Sequence, residues 1–424
     1  MGNSLAILGG AQVSNRQWPR WPQPGPRALK NLEDVLNSGR WTLSCAYQGR
    51  PSYEQRFAAA FAEYCGAEYC VPTSTGSASL AIALEACDVG AFDEVVVPGL
   101  SWVASASAVL GINAVPVLVD VDPATYCVDP GAVASAITGR TRAITIVHAY
   151  SAVADLAALT AVARQHGIPL IEDCAHAHGA TYQGRAVGTF GDAGAFSMQG
   201  SKLLTSGEGG AIITNDPEVA DRAGHLGSDG RMRSRSQLSV GGMELLETGR
   251  IMGSNSCLSE FHAALLLDQL DLVDEMHKRR RESSAYLDQQ LAELGCVGQA
   301  TTEGTTGRTY YRYAVKLPEA ALEVASVATI IEALSAELGF RLLETYRPLN
   351  DNVLYRPTTR RRFSISPDYL EQVNPQRFDL PVTTSINDSV VTFGHEILLA
   401  PPEAMEEIVS AFNKVLSNIG DIAG

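Results

Sequence analysis

Between residues 70 and 215 short apolar runs alternate with helical patterns, and this alternation limits the possible folds of the 424-residue chain more than any other feature. Strand-like runs at 94–98, 115–120, 143–148, 169–173, 194–198 and 211–215 are interleaved with helical patterns after Trp102, from 130, and over 155–166. Several runs are apolar along their whole length, as strands buried on both faces must be. Parallel neighbours need a crossover connection, which a helix supplies. The expected class is therefore α/β, with a mainly parallel sheet covered by helices on both faces. Ligands on such sheets gather beyond the carboxyl ends of the strands. Thr75 to Ser77, Trp102, His148, Asp173, Ser197 and Lys202 all follow strand-like runs closely.

The rest of the chain divides around that sheet. Residues 1–50 are irregular, with Trp18, Pro19, Trp21, Pro22, Pro24 and Pro26 crowded into a loop that packs against a surface. Residues 51–275 form the large domain, and a strongly helical stretch over 258–295 leads the chain out of it. Residues 276–424 read as a smaller α+β domain, with strands near 310–317 and 390–399 and helices near 327–338 and 402–417. A hydrophobic content of 46% is ample for both cores. A net charge of −15 opposes nucleic-acid partners. No apolar run reaches the ~18 residues of a membrane span. The opening residues lack the basic start of a secretory leader, and the eight cysteines form no framework spacing, so free thiols and a cytoplasmic location are expected.

Lys202 carries the first chemical signal. It lies on a loop of small residues directly after the run 194–198, so its amine is expected to face a pocket. Burial and nearby cations lower a lysine's pKa and supply the neutral amine that attacks a carbonyl. The order Gly200-Ser201-Lys202 excludes a Walker P-loop, which ends in Gly-Lys-Ser/Thr. Upstream, Glu172 and Asp173 close an apolar strand ahead of Cys174, His176 and His178. Thr75, Gly76 and Ser77 open a helix whose free amides and positive dipole end suit an anion. Cys174, His176, His178 and His148 form an alternative set with zinc-like donors. That reading leaves Lys202 and Asp173 without a role and lacks a second cysteine pair, so no metal is expected.

Taken in order, Gly76-Ser77 at a helix start, Trp102 after a strand, Asp173-x-x-His176 and Ser197-x-x-x-x-Lys202 resemble the DegT/DnrJ/EryC1/StrS sugar aminotransferases. These are fold type I enzymes dependent on pyridoxal 5'-phosphate (PLP). Trp18-Pro19-Arg20-Trp21, Ser38-Gly39-Arg40-Trp41, Pro98-Gly99-Leu100-Ser101-Trp102 and Ser254-Asn255-Ser256 look like the branch that aminates 2-deoxy-scyllo-inosose on the way to 2-deoxystreptamine in aminoglycoside antibiotics.

The resemblance implies that Lys202 holds PLP covalently and moves the proton, and that Asp173 pairs with the ring nitrogen. Trp102 would stack on the ring, His176 would bind its hydroxyl, and Gly76, Ser77 and Ser197 would bind its phosphate. Asn255 would reach the partner subunit's cofactor in a homodimer with shared sites. Tyr346 and His395 are the substrate-side candidates, although Gly394 stands where a histidine is expected. The implied reaction moves the amine of L-glutamine to a cyclic polyol ketone, 2-deoxy-scyllo-inosose and also the later amino-dideoxy-scyllo-inosose. Competing acceptors are scyllo-inosose, a nucleotide keto sugar and the precursor of 3-amino-5-hydroxybenzoate, whose synthases share the Asp-x-Ala-His-Ala-His-Gly pattern. A PLP-binding sensor without turnover is the reading from another class, and the presence of Lys202 argues against it.

Overall fold

Seven strands make the central sheet of the computed structural model, which describes residues 4–234 and 238–423. The first three positions of the 1–50 segment and the last of the 276–424 segment lie outside the described residues. The strands are β1 (Tyr69–Thr73), β2 (Glu94–Pro98), β3 (Val115–Val119), β4 (Thr141–Val147), β5 (Leu170–Asp173), β6 (Ala193–Ser197) and β7 (Gly210–Thr214). Their order is β1-β7-β6-β5-β4-β2-β3. Pairs from β6 to β3 are parallel, whereas β7 runs antiparallel to both β6 and β1. The reversal has a local cause. Residues 198–209, which carry Lys202, join β6 to β7 without a crossover helix, so the chain returns antiparallel beside the strand it left.

Both faces of the sheet are dry. Val96 lies in one hydrophobic cluster, and Val95 and Val97 lie in another on the opposite face. Side chains cap the helices that follow the strands: Thr75 accepts from the Ala78 amide, Asp129 from Ala132 and Asp155 from Ala158.

The smaller sheet contains β8 (Val297–Gly298), β9 (Arg312–Lys316), β10 (Leu343–Glu344) and β11 (Val390–Gly394) in the antiparallel order β8-β9-β11-β10. Helices Val327–Leu338 and Pro402–Ser417 bury an apolar stripe against it. The strand expected over 390–399 stops at Gly394, and Ile397–Leu399 form a 3-10 turn.

The 275/276 point expected between the two domains lies inside the helix Val273–Ala292, which runs from one core to the other. Leu349, Tyr355, Phe363, Tyr369, Val373 and Leu380 return to the large-domain core beside Val95 and Val97. The Leu349 amide donates to the Gly99 carbonyl at 2.9 Å. Asp120 accepts from the Val382 and Thr383 amides at 2.7 and 2.8 Å. The N-terminal segment is likewise shared, with Leu5 in the small-domain core and the Trp18 indole donating to the Leu338 carbonyl. Among the described residues, no helix is long and apolar enough to cross a membrane.

Candidate active site

A cavity of about 460 Å³ opens where β4, β5 and β6 end, with Tyr311, Arg312 and Tyr346 closing it from the small domain. Lys202 is on its wall and 7% exposed. Its ammonium nitrogen lies 4.2 Å from the Tyr311 ring centroid. Burial holds the Lys202 pKa below the ordinary lysine range, against the opposing pull of Tyr311 and Asp173. Two neighbours fix its peptide: the Trp21 indole donates to the Lys202 carbonyl at 3.1 Å, and the Lys202 amide donates to the Gln199 carbonyl at 2.8 Å. The N-terminal tryptophan loop thus reaches the reactive loop directly.

Asp173 stands at the end of β5 and is 5% exposed. Its carboxylate accepts from the Ser105 hydroxyl at 2.7 Å and the Ala175 amide at 3.1 Å. Burial raises its pKa, and these two hydrogen bonds work against the rise. No salt bridge to Asp173 occurs among the described residues, so a buried acid faces the cavity without a cation in contact.

His176 is sandwiched between rings, 4.0 Å from the Tyr311 centroid and 5.9 Å from Tyr150. Its Nδ1 accepts from the Tyr150 amide at 3.3 Å, which leaves the proton on Nε2, 3.4 Å from the Tyr346 hydroxyl. Burial, with the Lys202 charge next, holds its pKa well below the usual histidine range, so it is a neutral donor. For Tyr311, burial acts upward, but the nearby charges of Lys202 and Arg312 outweigh it and bring the hydroxyl down to about 8.

The opposite end of the cavity is formed by Thr75, Gly76, Ser77 and Ser197. Gly76 and Ser77 open the helix Gly76–Ala86, so their amides have no intrahelical acceptor. A Cβ on Gly76 would lie 2.4 Å from the Ser197 Cβ. Only glycine lets the helix start come this close to the end of β6, and it leaves an anion-sized cradle lined with amides and hydroxyls.

Trp102, Tyr346 and the expected residues of both ends therefore converge on one cavity. Trp102 is 46% exposed at its mouth, with its ring centroid 5.8 Å from that of Tyr346. Two expected residues do not line it. His395 sits behind the loop, where its Nε2 donates to the Ser201 carbonyl at 3.1 Å and its Nδ1 accepts from Arg280 at 2.9 Å. Asn255 is exposed outside the cavity, although its neighbour Ser256 accepts from the Ser74 amide beside the helix start.

Of the alternative metal set, His148 and Cys174 come together with Glu172, their donor atoms within 4.8 Å of one another. His176 is stacked in the cavity, and His178 packs edge-on against Phe196. His148 holds Glu172 at 3.2 Å, while the same carboxylate accepts from the Gly188, Phe190 and Gly191 amides. Sequence reasoning missed Tyr311, Arg312 and Ser105. Arg312 alone leaves a signal, a charged residue directly before the apolar run Tyr313–Val315.

The profile of the DegT/DnrJ/EryC1/StrS aminotransferase family matches residues 23–395. The chain belongs to this family. The family member described here is therefore an aminotransferase. It is 66% identical over the full length of both chains to the L-glutamine:scyllo-inosose aminotransferase of Streptomyces griseus. Identity to the L-glutamine:2-deoxy-scyllo-inosose aminotransferase of Streptomyces fradiae is 55%, again over both full lengths. The crystal structure of 3-amino-5-hydroxybenzoic acid synthase superposes with a TM-score of 0.77 at 30% identity, covering 94% of this chain and 98% of that one.

Proposed function

We propose that this aminotransferase carries PLP on Lys202 and moves the amino group of L-glutamine to an inosose, with scyllo-inosose preferred to its 2-deoxy derivative. One observation carries the cofactor assignment: a buried amine of lowered pKa and a buried acid without a cation face the same cavity as an amide cradle. The donor set fits PLP. Asp173 supplies the acid for a pyridinium N–H, the neutral Nε2–H of His176 suits a ring oxygen, and the Gly76 cradle suits a phosphate. When bound, PLP supplies a carbonyl for the amine and a ring that withdraws electrons from the reacting carbon.

The remaining tasks belong to the chain. Lys202 takes and returns the proton at its Nζ, aided by the burial that lowers its pKa and so favours the unprotonated amine. Asp173 would hold the positive charge of a protonated ring nitrogen. Trp102 and Tyr346 narrow the mouth and exclude water. The reading also favours the reducing cytoplasm, which suits eight free cysteines.

The acceptor assignment rests on the relatives and on the cavity wall. Ser101, Gln199, Ser201, Tyr311 and Tyr346 offer polar partners for ring hydroxyls, and the Glu208 carboxylate repels a diphosphate. The ranking of scyllo-inosose first follows the 66% against 55% identity. With L-glutamine as donor, kcat/KM for scyllo-inosose is expected to exceed that for 2-deoxy-scyllo-inosose by about tenfold, the effect of leaving one buried polar group unpaired. A nucleotide-linked keto sugar is expected to react at least ~100-fold more slowly. An acceptor panel that ranks the nucleotide sugar first overturns the inosose reading and leaves the amino transfer standing.

A shared homodimer is part of the same reading. Its support is the exposed loop around Asn255, next to Met252, which is 93% exposed, and beside the start of the phosphate-end helix. Mixed dimers of inactive Lys202→Ala and inactive Asn255→Ala chains are expected to regain about a quarter to a half of the native sites, as symmetric dimers with crossed contributions require. Purified heterodimers without any recovered rate would exclude sharing through Asn255.

A further inference from the structure

The cations around the cavity outnumber the buried acids. Lys202 and Arg312 line it, whereas Asp173 is its one buried carboxylate and Glu208 is exposed. Arg312 opens β9, opposite Gly394, and projects from the small domain. Its Nη1 donates to the Thr392 hydroxyl at 3.2 Å, and its Cζ lies 5.8 and 5.4 Å from the Tyr311 and Tyr346 ring centroids. Among the described residues no carboxylate lies within ion-pair distance of Arg312. A half-buried guanidinium held by aromatic faces and the Thr392 and Tyr311 hydroxyls, with no carboxylate partner, keeps donors of its planar fork for a ligand. Such a group is matched when a carboxylate enters and forms two parallel hydrogen bonds.

The two substrates of the proposed reaction differ in charge. L-glutamine brings a carboxylate at the carbon that bears the transferred amine, while its side-chain amide and the whole inosose are neutral. With its amine directed at Lys202, the only ionic group left to recognise on the donor is that carboxylate. Arg312 is the cation on the facing wall.

We infer that Arg312 receives the α-carboxylate of L-glutamine, an assignment that rests on L-glutamine being the donor. Arg312 is thus a donor-recognition residue. The uncharged acceptor meets the same guanidinium only through its hydroxyls, so the donor half of the cycle depends on Arg312 far more than the acceptor half does. Lysine at this position would keep the charge but lose the two-pronged geometry.

The test compares Arg312→Gln and Arg312→Lys with the native enzyme, each checked for an unchanged thermal transition. Single-turnover rates are measured separately for L-glutamine with the PLP form and for scyllo-inosose with the aminated form. In Arg312→Gln, kcat/KM for L-glutamine is expected to fall about 100-fold and the inosose half-reaction by less than about threefold. Arg312→Lys should lie between. The native preference for L-glutamine over L-glutaminol, whose carboxylate is replaced by a hydroxymethyl group, should collapse in Arg312→Gln. Calorimetric titration with glutaramate, which lacks the amine and cannot react, gives a readout independent of turnover. The native protein is expected to bind it about 100-fold more tightly than Arg312→Gln, with or without PLP. Equal losses in both half-reactions, an unchanged L-glutamine rate, or native protein that fails to bind glutaramate would each overturn the assignment. Failure of the PLP reading would appear separately, as no visible band and no half-reactions, while the glutaramate titration still decides the role of Arg312.

Discussion

Lys202→Ala is expected to transfer amino groups at least ~10³-fold more slowly than the native enzyme, within the range lost when a positioned proton-transfer group is removed. The loss should be this large because Lys202 is the one lysine among the cavity-lining residues. The fold should persist, since the Trp21 and Gln199 hydrogen bonds at this position involve the Lys202 peptide and not its side chain. Stability gives a second signature. A lysine whose folded pKa is depressed binds fewer protons in the folded than in the unfolded protein. Its contribution therefore becomes more favourable as pH rises from the depressed value towards the ordinary lysine value of 10.5, and the alanine variant lacks that slope. The rate assay should be paired with borohydride reduction and peptide mapping. A reduced adduct on another lysine would remove Lys202 from its role.

Asp173→Asn is expected to cut transfer by about 10²- to 10³-fold, because asparagine retains the shape but supplies no charge to keep a ring nitrogen protonated. Unlike most substitutions of a buried charged residue, it should not lower the melting temperature of the cofactor-free protein. Burial raises the Asp173 pKa above the ordinary aspartate value of 3.8. A carboxyl raised in this way favours the folded state below the unfolded pKa, and that contribution is lost as pH climbs through the folded value. Above that folded value the ionised acid is a burden on the empty protein, and asparagine relieves it. Melting curves at pH 5 and 8 test this point. A variant that melts well below the native protein at both values would mark Asp173 as a structural cap, and near-native turnover would remove it from the chemistry.

The large-domain half of the site was legible because one topological rule places it. Gly76, Trp102 and Lys202 follow strands and Asp173 and Ser197 end them, and parallel strands present their carboxyl ends at one edge. Local order along the chain therefore translated into proximity. The small-domain half follows no such rule. Tyr311 sits beside Tyr310 and Tyr313 in what reads as a core strand, and Tyr313 is indeed 1% exposed in that core. Nothing in the order of residues says that Tyr311 faces Lys202 instead.

Ser105 is equally silent as one small residue on a helix, and its bond to Asp173 spans 68 positions. His395 enters as a substrate-side candidate through the family resemblance. Its partner Arg280 lies 115 positions away, so its supporting role behind the Ser201 carbonyl appears only in three dimensions. The return of residues 349–380 to the large domain has no periodic signature. Its apolar residues fill gaps on an existing surface and do not form one face of an element.

That returning segment has a consequence for binding. The chain passes between the two cores through the helix Val273–Ala292 and again on both sides of residues 349–380, where Leu349 is bonded to Gly99 and Val382 and Thr383 to Asp120. Gly99 itself lies three residues before Trp102, and a Cβ on it would approach the Leu380 side chain to 2.5 Å. The wall bearing Trp102 and the wall bearing Tyr346 are therefore joined close to the mouth they form. A cavity held in this way is preorganised: the entropy of bringing its walls together is lost once, on folding, and not again at each of the two substrate encounters in every cycle.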